Sequence, residues 1–220
     1  MRVWTLSDGA IHDAEAGEEC ARAVWTNPLA GGGWPIDAAL RLAAFSGWHD
    51  PEPSDGESGH DDPTTRAMRA SLRTWNAGGD EFRAMCEAAE RAISPGGLIA
   101  LRPRVGHALS DVPTCVRFLR ERGGGPWRLL LDPVGMLSRG MLGDAEDHVR
   151  RIVDALGSHV GVWAMLLTNV EPGDEDPPRA CVAHRGVIGV DVLREAASRS
   201  AAPLVLLEAE VGEQRRVLRV

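Results

Sequence analysis

Residues 96–132, which read GGLIALRPRVGHALSDVPTCVRFLRERGGGPWRLLLD, decide the fold that this chain is predicted to adopt. They contain two short apolar runs, 98–101 and 127–131, which are typical of buried parallel strands. Between the runs lies a segment with apolar residues at helical spacing, and Ser110 or Asp111 can cap its start. A strand, a helix and a second strand in this order predict a right-handed parallel crossover.

The same alternation continues toward the C-terminus in units of roughly 30 residues. Further strands are predicted at residues 159–167 and 202–210, and helices at residues 143–157 and 190–200. Asp191 is placed to cap the second of these helices. The pattern predicts an α/β fold, either an open doubly wound sheet or a closed TIM-type (β/α) barrel. No G-x-G-x-x-G motif follows a predicted strand, so a dinucleotide site is not favoured.

The N-terminal half shows the pattern less clearly. Strands are predicted at residues 2–6, 21–26 and 68–75, and helices at residues 36–45 and 80–93. Asp80 is placed to cap the second helix. Residues 49–65 are acidic and rich in proline, glycine and serine, which predicts an exposed loop. We expect one domain over residues 1–220, a TIM-type barrel that is reduced or irregular in its N-terminal half.

Composition limits the classes of function. The formal net charge is -8, which argues against a general binder of nucleic acids or anionic membranes, because both favour clustered positive charge. The sequence shows no uninterrupted apolar run of about 18 residues and no signal-peptide pattern, so a cytoplasmic protein is expected. The four cysteines lie far apart without a C-x-x-C motif, which predicts buried free thiols instead of a zinc or redox site.

Charged and polar residues follow the predicted strands at their C-terminal ends, where the active sites of (β/α) barrels lie. Asp132 ends the second strand quoted above, and Glu208 ends the last predicted strand. A carboxylate after a continuous apolar run is partly desolvated and needs a cation, a hydrogen-bond donor or a proton. We therefore predict a functional site that includes both acids, with turn capping as the alternative for each. The candidate substrate-binding residues near the same end are Arg102, Arg104, His107, Asn169, His184 and Arg185.

Several passages resemble strands and turns of one known superfamily. LLLDPVGM resembles an Asp-x-x-His strand, and HVGVWAMLLTN stands where the superfamily has a strand ending in His-x-x-Asp. HRGVIGVDVLREA resembles a Gly-x-Gly-x-x-Asp turn before the last helix, and APLVLLE resembles the last strand with its terminal glutamate. Over residues 96–210 the chain is thus similar to the xylose-isomerase-like TIM barrels, which include sugar isomerases, sugar epimerases and the endonuclease IV group. The resemblance implies a divalent metal held by Glu, Asp, His and Glu.

Most of these metal ligands are absent at the matching positions. Asp132 matches the aspartate and Glu208 matches the last glutamate, and only these two ligands are retained. The other places hold Arg102 for the first glutamate, Gly135 for the histidine of Asp-x-x-His, and Met165 or Leu166 for the metal-binding histidine. We hypothesise that Arg102 replaces the charge of the metal by pairing with Asp132, with Glu208 or with both. The alternative is that His107 or His184 serves as a replacement ligand.

These features lead to two functional predictions. The first is a sugar isomerase- or epimerase-like protein with a degenerate metal site that acts on or binds a small polyhydroxy or anionic compound. In this prediction Asp132 and Glu208 form the catalytic acid/base pair. The second is a non-catalytic barrel that binds a ligand or a protein partner. Because a fold does not determine a function, both predictions are kept.

The expected cofactors and partners follow from the same residues. We expect no cofactor, and the alternative is Mn²⁺, Mg²⁺ or Zn²⁺ bound at Asp132 and Glu208. The expected partner is a carbohydrate-like small molecule, with neither a nucleic acid nor a membrane. Residues 213–220 are interpreted as an edge or closing strand, or as a contact in a homodimer.

Overall fold

Eight strands close into a barrel in the computed structural model. The structure describes residues 1–7, 9–25, 27–29, 41–47, 79–173 and 178–220. The barrel strands are β1 (Val3–Ser7), β2 (Ala10–Asp13), β3 (Glu19–Val24), β4 (Arg41–Phe45), β5 (Leu98–Arg102), β6 (Trp127–Leu131), β7 (Val162–Leu166) and β10 (Leu204–Leu207). A separate antiparallel pair consists of β8 (Asn169–Val170) and β9 (Ala180–Cys181).

The strand directions show where the barrel departs from a regular one. Neighbouring strands follow the order β1-β10-β7-β6-β5-β4-β3-β2 around the barrel. β2 is antiparallel to β1 and β3, whereas the other adjacent pairs are parallel. A three-stranded meander with no helix between its strands therefore begins the barrel. The prediction of an α/β, TIM-type barrel with an irregular N-terminal half is confirmed.

Helices pack against the outer face of the barrel, mainly along the strands from β4 to β7 and β10. The described helices are α1 (Gly79–Ala92), α2 (Val112–Arg122), α3 (Ala145–Leu156), α4 (Val190–Arg199), α5 (Val211–Leu218) and a short 3₁₀ helix at Arg139–Asp144. Their apolar side chains and the outward side chains of the strands form one core cluster. Among the helices of the described ranges, none is long and apolar enough to cross a membrane.

One predicted helix cap is confirmed and two are wrong. Asp111 is the N-cap of α2, and its side chain accepts a hydrogen bond from the backbone N–H of Thr114 at 2.8 Å. Asp80 lies within the first turn of α1 instead of capping it. Gly189 is the N-cap of α4, and Asp191 lies in the first turn of that helix. The helix dipole stabilises an acidic residue both at the N-cap and in the first turn, so the sequence alone does not distinguish these two positions.

One predicted helix is a strand. Residues 36–45 are predicted to be helical, but Arg41–Phe45 form β4, which lies between β3 and β5. Leu42 and the two alanines that follow it are all buried, because the strand is covered on both faces. A strand of this kind has a continuous apolar sequence without alternation, which is easily mistaken for part of a buried helix.

The interpretation of residues 213–220 as a strand is also wrong. Val211–Leu218 form α5, whose buried side chains are Gln214 and Leu218 on one helical face. Three other predicted segments lie outside the described residues: the first part of the predicted helix at 36–40, the loop at 49–65 and the strand at 68–75.

The barrel interior has its own apolar core, which fixes the direction of the residues at the mouth. Alternate strand residues fill it: Trp4, Leu6, Ile11, Ala21, Ala23, Ala43, Ala100, Leu130, Ala164, Leu166 and Val205. Because every second side chain of a strand lies on the same side, Arg102 at the end of β5 is directed inward like Ala100, two positions before it. By the same alternation, the inward Leu130 is followed by an inward Asp132 after β6.

Candidate functional site

Arg102 and Asp132 form a buried ion pair at the mouth of the barrel. They lie at the ends of the paired neighbours β5 and β6. Nε and Nη2 of Arg102 lie 2.7 Å and 2.6 Å from Oδ2 of Asp132. Asp132 is fully buried and Arg102 is 8% exposed, so the pair is almost withdrawn from water. Removing either partner of such a pair strongly destabilises the folded protein, because the other partner is left as an uncompensated buried charge.

Two aromatic rings complete the surroundings of the Arg102 guanidinium group. Its Cζ atom lies 5.1 Å from the ring centroid of Trp25 and 5.4 Å from that of Phe45. The two rings contact each other with centroids 5.0 Å apart. Aromatic rings close to a guanidinium group stabilise it through cation–π attraction. Arg102 is therefore held by a carboxylate and two rings, which makes it part of the scaffold of the mouth.

Gly135 permits the observed orientation of Asp132. Its backbone N–H donates a hydrogen bond to Oδ1 of Asp132 at 2.9 Å. A Cβ atom at position 135 would lie 2.8 Å from Cγ of Asp132 and closer still to Oδ2. The absence of a side chain at 135, where the resemblance expects a histidine, is thus a requirement of this carboxylate orientation. Both carboxylate oxygens are already engaged, one by Arg102 and one by the Gly135 backbone.

Arg104 and His107 lie next to the ion pair against the ring of Phe45. Cζ of Arg104 is 5.8 Å from the Phe45 centroid, and the His107 ring centroid is 4.9 Å from it. Arg104 is half-buried and forms no hydrogen bond or ion pair within the described chain. Burial and the charge of Arg102 lower the pKa of Arg104, which stays a cation at neutral pH. Among the described residues, the charges of Arg102 and Arg104 both act on the carboxylate of Asp132, so this part of the mouth carries excess positive charge.

Glu208 is not in contact with Asp132. In β10 the inward residues are Val205 and Leu207, so the alternation directs Glu208 away from the barrel interior. Its side chain is exposed and forms no ion pair with any residue that the structure describes. The catalytic acid/base pair of Asp132 and Glu208 therefore stays a prediction, with one carboxylate buried and the other in solvent.

Asn169 is engaged within the fold. Its Nδ2 donates to the carbonyl oxygens of Ala183 and Ile188 at 3.2 Å and 2.8 Å. Its Oδ1 accepts from the backbone N–H groups of Val170 and Ile188 at 2.8 Å and 2.9 Å. Gly186 has a φ of 126° and lies so close to the Asn169 side chain that a Cβ atom would collide with it. The observed role of Asn169 is to position the loop after β9.

His184 and Arg185 lie away from the ion pair, in contact with Glu210. Nε2 of His184 lies 3.0 Å from Oε2 of Glu210, and Nη2 of Arg185 lies 2.6 Å from Oε1 of the same residue. The fully buried Gln214 supports this loop, because its Oε1 accepts from the backbone N–H of Ala183 at 3.2 Å. The structure thus brings together Arg102, Arg104, His107 and Asp132, and leaves His184, Arg185, Asn169 and Glu208 outside this group.

Sequence reasoning does not identify Phe45 and Gln214 as residues of interest. Phe45 would have been found if residues 41–45 were assigned as a strand, because it shares the inward parity of Ala43. Gln214 is the polar residue on the buried face of α5, a signal that depends on assigning that helix first. Thr168, which precedes Asn169, is fully buried and lines a small apolar cavity.

The residues that the structure describes at the mouth do not fit the divalent metal that the resemblance implies. The described residues contain no group of three or more His, Cys, Asp or Glu side chains placed to hold a metal ion. The Arg102 guanidinium group lies 2.6 Å from Oδ2 of Asp132 and would repel a second cation there. Catalytic sites for Mn²⁺ or Zn²⁺ ordinarily include imidazole ligands, and no described imidazole contacts Asp132.

Comparisons with known proteins give two partial similarities and no family. No family model matches the chain. A stretch of 123 residues is 37% identical to ribosomal RNA small subunit methyltransferase H of Cereibacter sphaeroides, and it covers 55% of this chain and 34% of that protein. The structure of the probable 3-DHS dehydratase AsbF from Bacillus anthracis, involved in petrobactin synthesis, is similar with a TM-score of 0.40 and 10% identity. That similarity covers 81% of this chain and 61% of AsbF, so the chain spans only part of each protein.

Proposed function

We propose that this barrel binds a small anionic compound at its mouth and does so without a metal ion. The observation that carries the proposal is the guanidinium group of Arg104, half-buried beside Arg102 with no acidic partner in the described chain. A cation that is partly withdrawn from water and lacks a counter-ion attracts an anion. Its planar fork of N–H donors matches the oxygens of a carboxylate or a phosphate group.

The Arg102–Asp132 pair supports this proposal because it lies next to Arg104 and carries no net charge. Arg102 is neutralised by Asp132 and held by two rings, so it positions its surroundings without offering a free charge. Arg104 lies two residues further along the chain and points its guanidinium group to the ring of Phe45. A neutral ion pair next to a cation that has no acidic partner among the described residues favours the binding of an anion over metal chemistry.

The ligand class that we propose is a carbohydrate-like anion, such as a sugar phosphate or a sugar acid. The TIM-type barrel and the resemblance to sugar isomerases and epimerases support the polyhydroxy part of this class. An isomerase-like reaction needs groups that exchange protons with the substrate. Asp132 is ion-paired and Glu208 is exposed, so binding is better supported than this reaction. Methyl transfer to a ribosomal RNA is not proposed, because a net charge of -8 does not favour RNA binding.

The substitution Arg104→Gln tests the proposal directly. It removes the positive charge of Arg104, and we expect the affinity for inorganic phosphate to fall about tenfold or more, since a charge-assisted hydrogen bond contributes about 1.5–3 kcal/mol. Isothermal titration calorimetry at constant ionic strength measures the change. The matched control is Arg120→Gln, which removes the same charge from the exposed face of α2. Equal affinities of the two variants would contradict the proposal.

Elemental analysis tests the metal-free part of the proposal. Protein purified without chelators is expected to contain well under one transition metal ion per chain, because the residues at the mouth do not form a ligand set. Inductively coupled plasma mass spectrometry gives the ratio. A single tightly bound Mn²⁺ or Zn²⁺ per chain, lost from an Asp132→Asn variant, would overturn this part and leave the anion proposal to be judged by Arg104→Gln.

A further inference from the structure

A tight turn places Arg104 and His107 on the same side of the mouth. The backbone N–H of His107 donates to the carbonyl oxygen of Arg104 at 3.0 Å, which closes a four-residue turn. Gly106 has a φ of 80°, a conformation that glycine adopts without strain. The neighbouring N–H of Ala108 donates to the carbonyl oxygen of Gly47 at 2.9 Å and ties the turn to the end of β4. The two side chains are therefore presented together on an anchored turn.

The ring of Phe45 contacts both side chains of this turn. The His107 centroid lies 4.9 Å from the Phe45 centroid, and Cζ of Arg104 lies 5.8 Å from it. Contact with a rigid aromatic ring restricts the rotamers of both side chains, which lowers the entropy lost on ligand binding. The arrangement is therefore pre-organised to receive a ligand between a guanidinium group and an imidazole.

One polar atom of this arrangement has no partner among the described residues. Nδ1 of His107 is buried and forms no hydrogen bond within the part of the chain that the structure describes. A buried polar atom without a partner costs roughly 1–3 kcal/mol, so such atoms usually have a role in a network or a binding site. An oxygen of a bound ligand would supply the missing partner.

Charge then distinguishes between classes of anion. Within the described ranges, the charged groups that act on His107 are Arg104 and Arg102, and Arg102 is paired with Asp132. A monoanion would neutralise Arg104 and leave nothing to compensate a charge on His107. A dianion with tetrahedral geometry carries enough charge and enough oxygens to contact both groups at once.

We infer that the ligand carries a dianionic phosphate monoester, which is held between Arg104 and the imidazolium form of His107, so that binding takes up a proton. This inference rests on the proposed anion-binding function and narrows it to one ligand class. The free site is poised for proton uptake, because burial and then the charges of Arg104 and Arg102 lower the pKa of His107 to about 4. His107 is therefore neutral at neutral pH before the ligand binds.

The sign of the pH dependence follows from this uptake. A bound dianion stabilises the imidazolium form and raises the pKa of His107 toward its ordinary value of roughly 6.5. Affinity then increases as the pH falls, because protons are bound more tightly by the complex than by the free protein. Between pH 8 and pH 6 the expected gain is roughly fourfold, with about 0.75 proton taken up per ligand at pH 6.

Sulfate is the probe for the experiment, because it stays a dianion over this pH range. Calorimetric titrations at pH 6 in two buffers of different ionisation enthalpy give the number of protons taken up. We expect about 0.75 proton per sulfate for the unaltered chain, none for acetate, and none for His107→Gln, which also loses the fourfold gain at pH 6. The control His148→Gln changes a histidine on α3 and is expected to keep the uptake.

The outcomes separate this inference from the proposed function. Sulfate binding that depends on Arg104 but takes up no proton would overturn the inference and leave anion binding intact. Proton uptake that persists in His107→Gln would overturn it as well. Sulfate and phosphate binding that does not respond to Arg104→Gln would overturn both.

Discussion

Replacement of Arg102 by glutamine is expected to lower the free energy of unfolding by about 3–5 kcal/mol. The variant leaves the carboxylate of Asp132 at 0% exposure with only the backbone N–H of Gly135 as a donor. The nearby charge of Arg104 acts on Asp132 without a hydrogen bond and does not replace the lost ion pair, so the cost exceeds that of an ordinary lost hydrogen bond. Urea unfolding followed by circular dichroism at neutral pH measures the difference.

The double variant Arg102→Gln with Asp132→Asn is the control for this experiment. It removes both charges and keeps an oxygen that can accept the hydrogen bond from Gly135, so it is expected to be more stable than Arg102→Gln alone. This order would show that the cost arises from the unpaired carboxylate. If the single variant lost less than about 1 kcal/mol, the pair would behave like an exposed surface ion pair and the description of a buried scaffold would be wrong.

The contact between Arg102 and Asp132 could be predicted because it depends on strand alternation alone. Both residues follow apolar runs whose strands are neighbours in a parallel crossover, and both share the parity of inward residues. The sequence hypothesis offered Asp132, Glu208 or both as partners of Arg102. The structure selects Asp132, at 2.6 Å.

The places of Glu208 and Asn169 could not be predicted from the position of a residue at a strand end. A shift of one residue at the end of a strand turns a side chain from the barrel interior to the outside. Glu208 follows the inward Leu207 by one position and is directed away from the barrel interior, and Asn169 lies beyond the end of β7, in the separate pair of β8 and β9. If inward and outward positions are assigned by alternation from a residue of the barrel core, Asp132 is inward, whereas Glu208 and Asn169 are outward. The end of the apolar run alone does not make this distinction.

The N-terminal half was harder to predict because its elements do not repeat. β1, β2 and β3 form a meander, and the antiparallel β2 interrupts the regular alternation of strand and helix on which the C-terminal half was assigned. The error at residues 41–45 has a related cause, since a strand buried on both faces lacks the period-two pattern that identifies strands.

The substitution Gly135→Ala is expected to cost about 1–3 kcal/mol, although alanine is the smallest change available. Its Cβ atom would meet the carboxylate of Asp132, with Cγ at 2.8 Å and Oδ2 closer. The short side chain of Asp132 cannot move away without weakening the hydrogen bonds to Arg102 and to the Gly135 backbone. Urea unfolding measures the loss, and Gly143→Ala is the matched control, because no atom lies within 4 Å of a Cβ atom there.

The same substitution in a second background tests whether the cost arises from the carboxylate. The close contacts at position 135 are all with Asp132, so Gly135→Ala is expected to cost little in a chain that already carries Arg102→Gln and Asp132→Ala. A full cost in that background would place the strain in the backbone of residue 135 instead. If the cost disappears, the glycine and the ion pair form one unit, and a histidine at 135 would fit only if Asp132 changed its orientation. The absence of the histidine and the presence of Arg102 would then have a common physical cause.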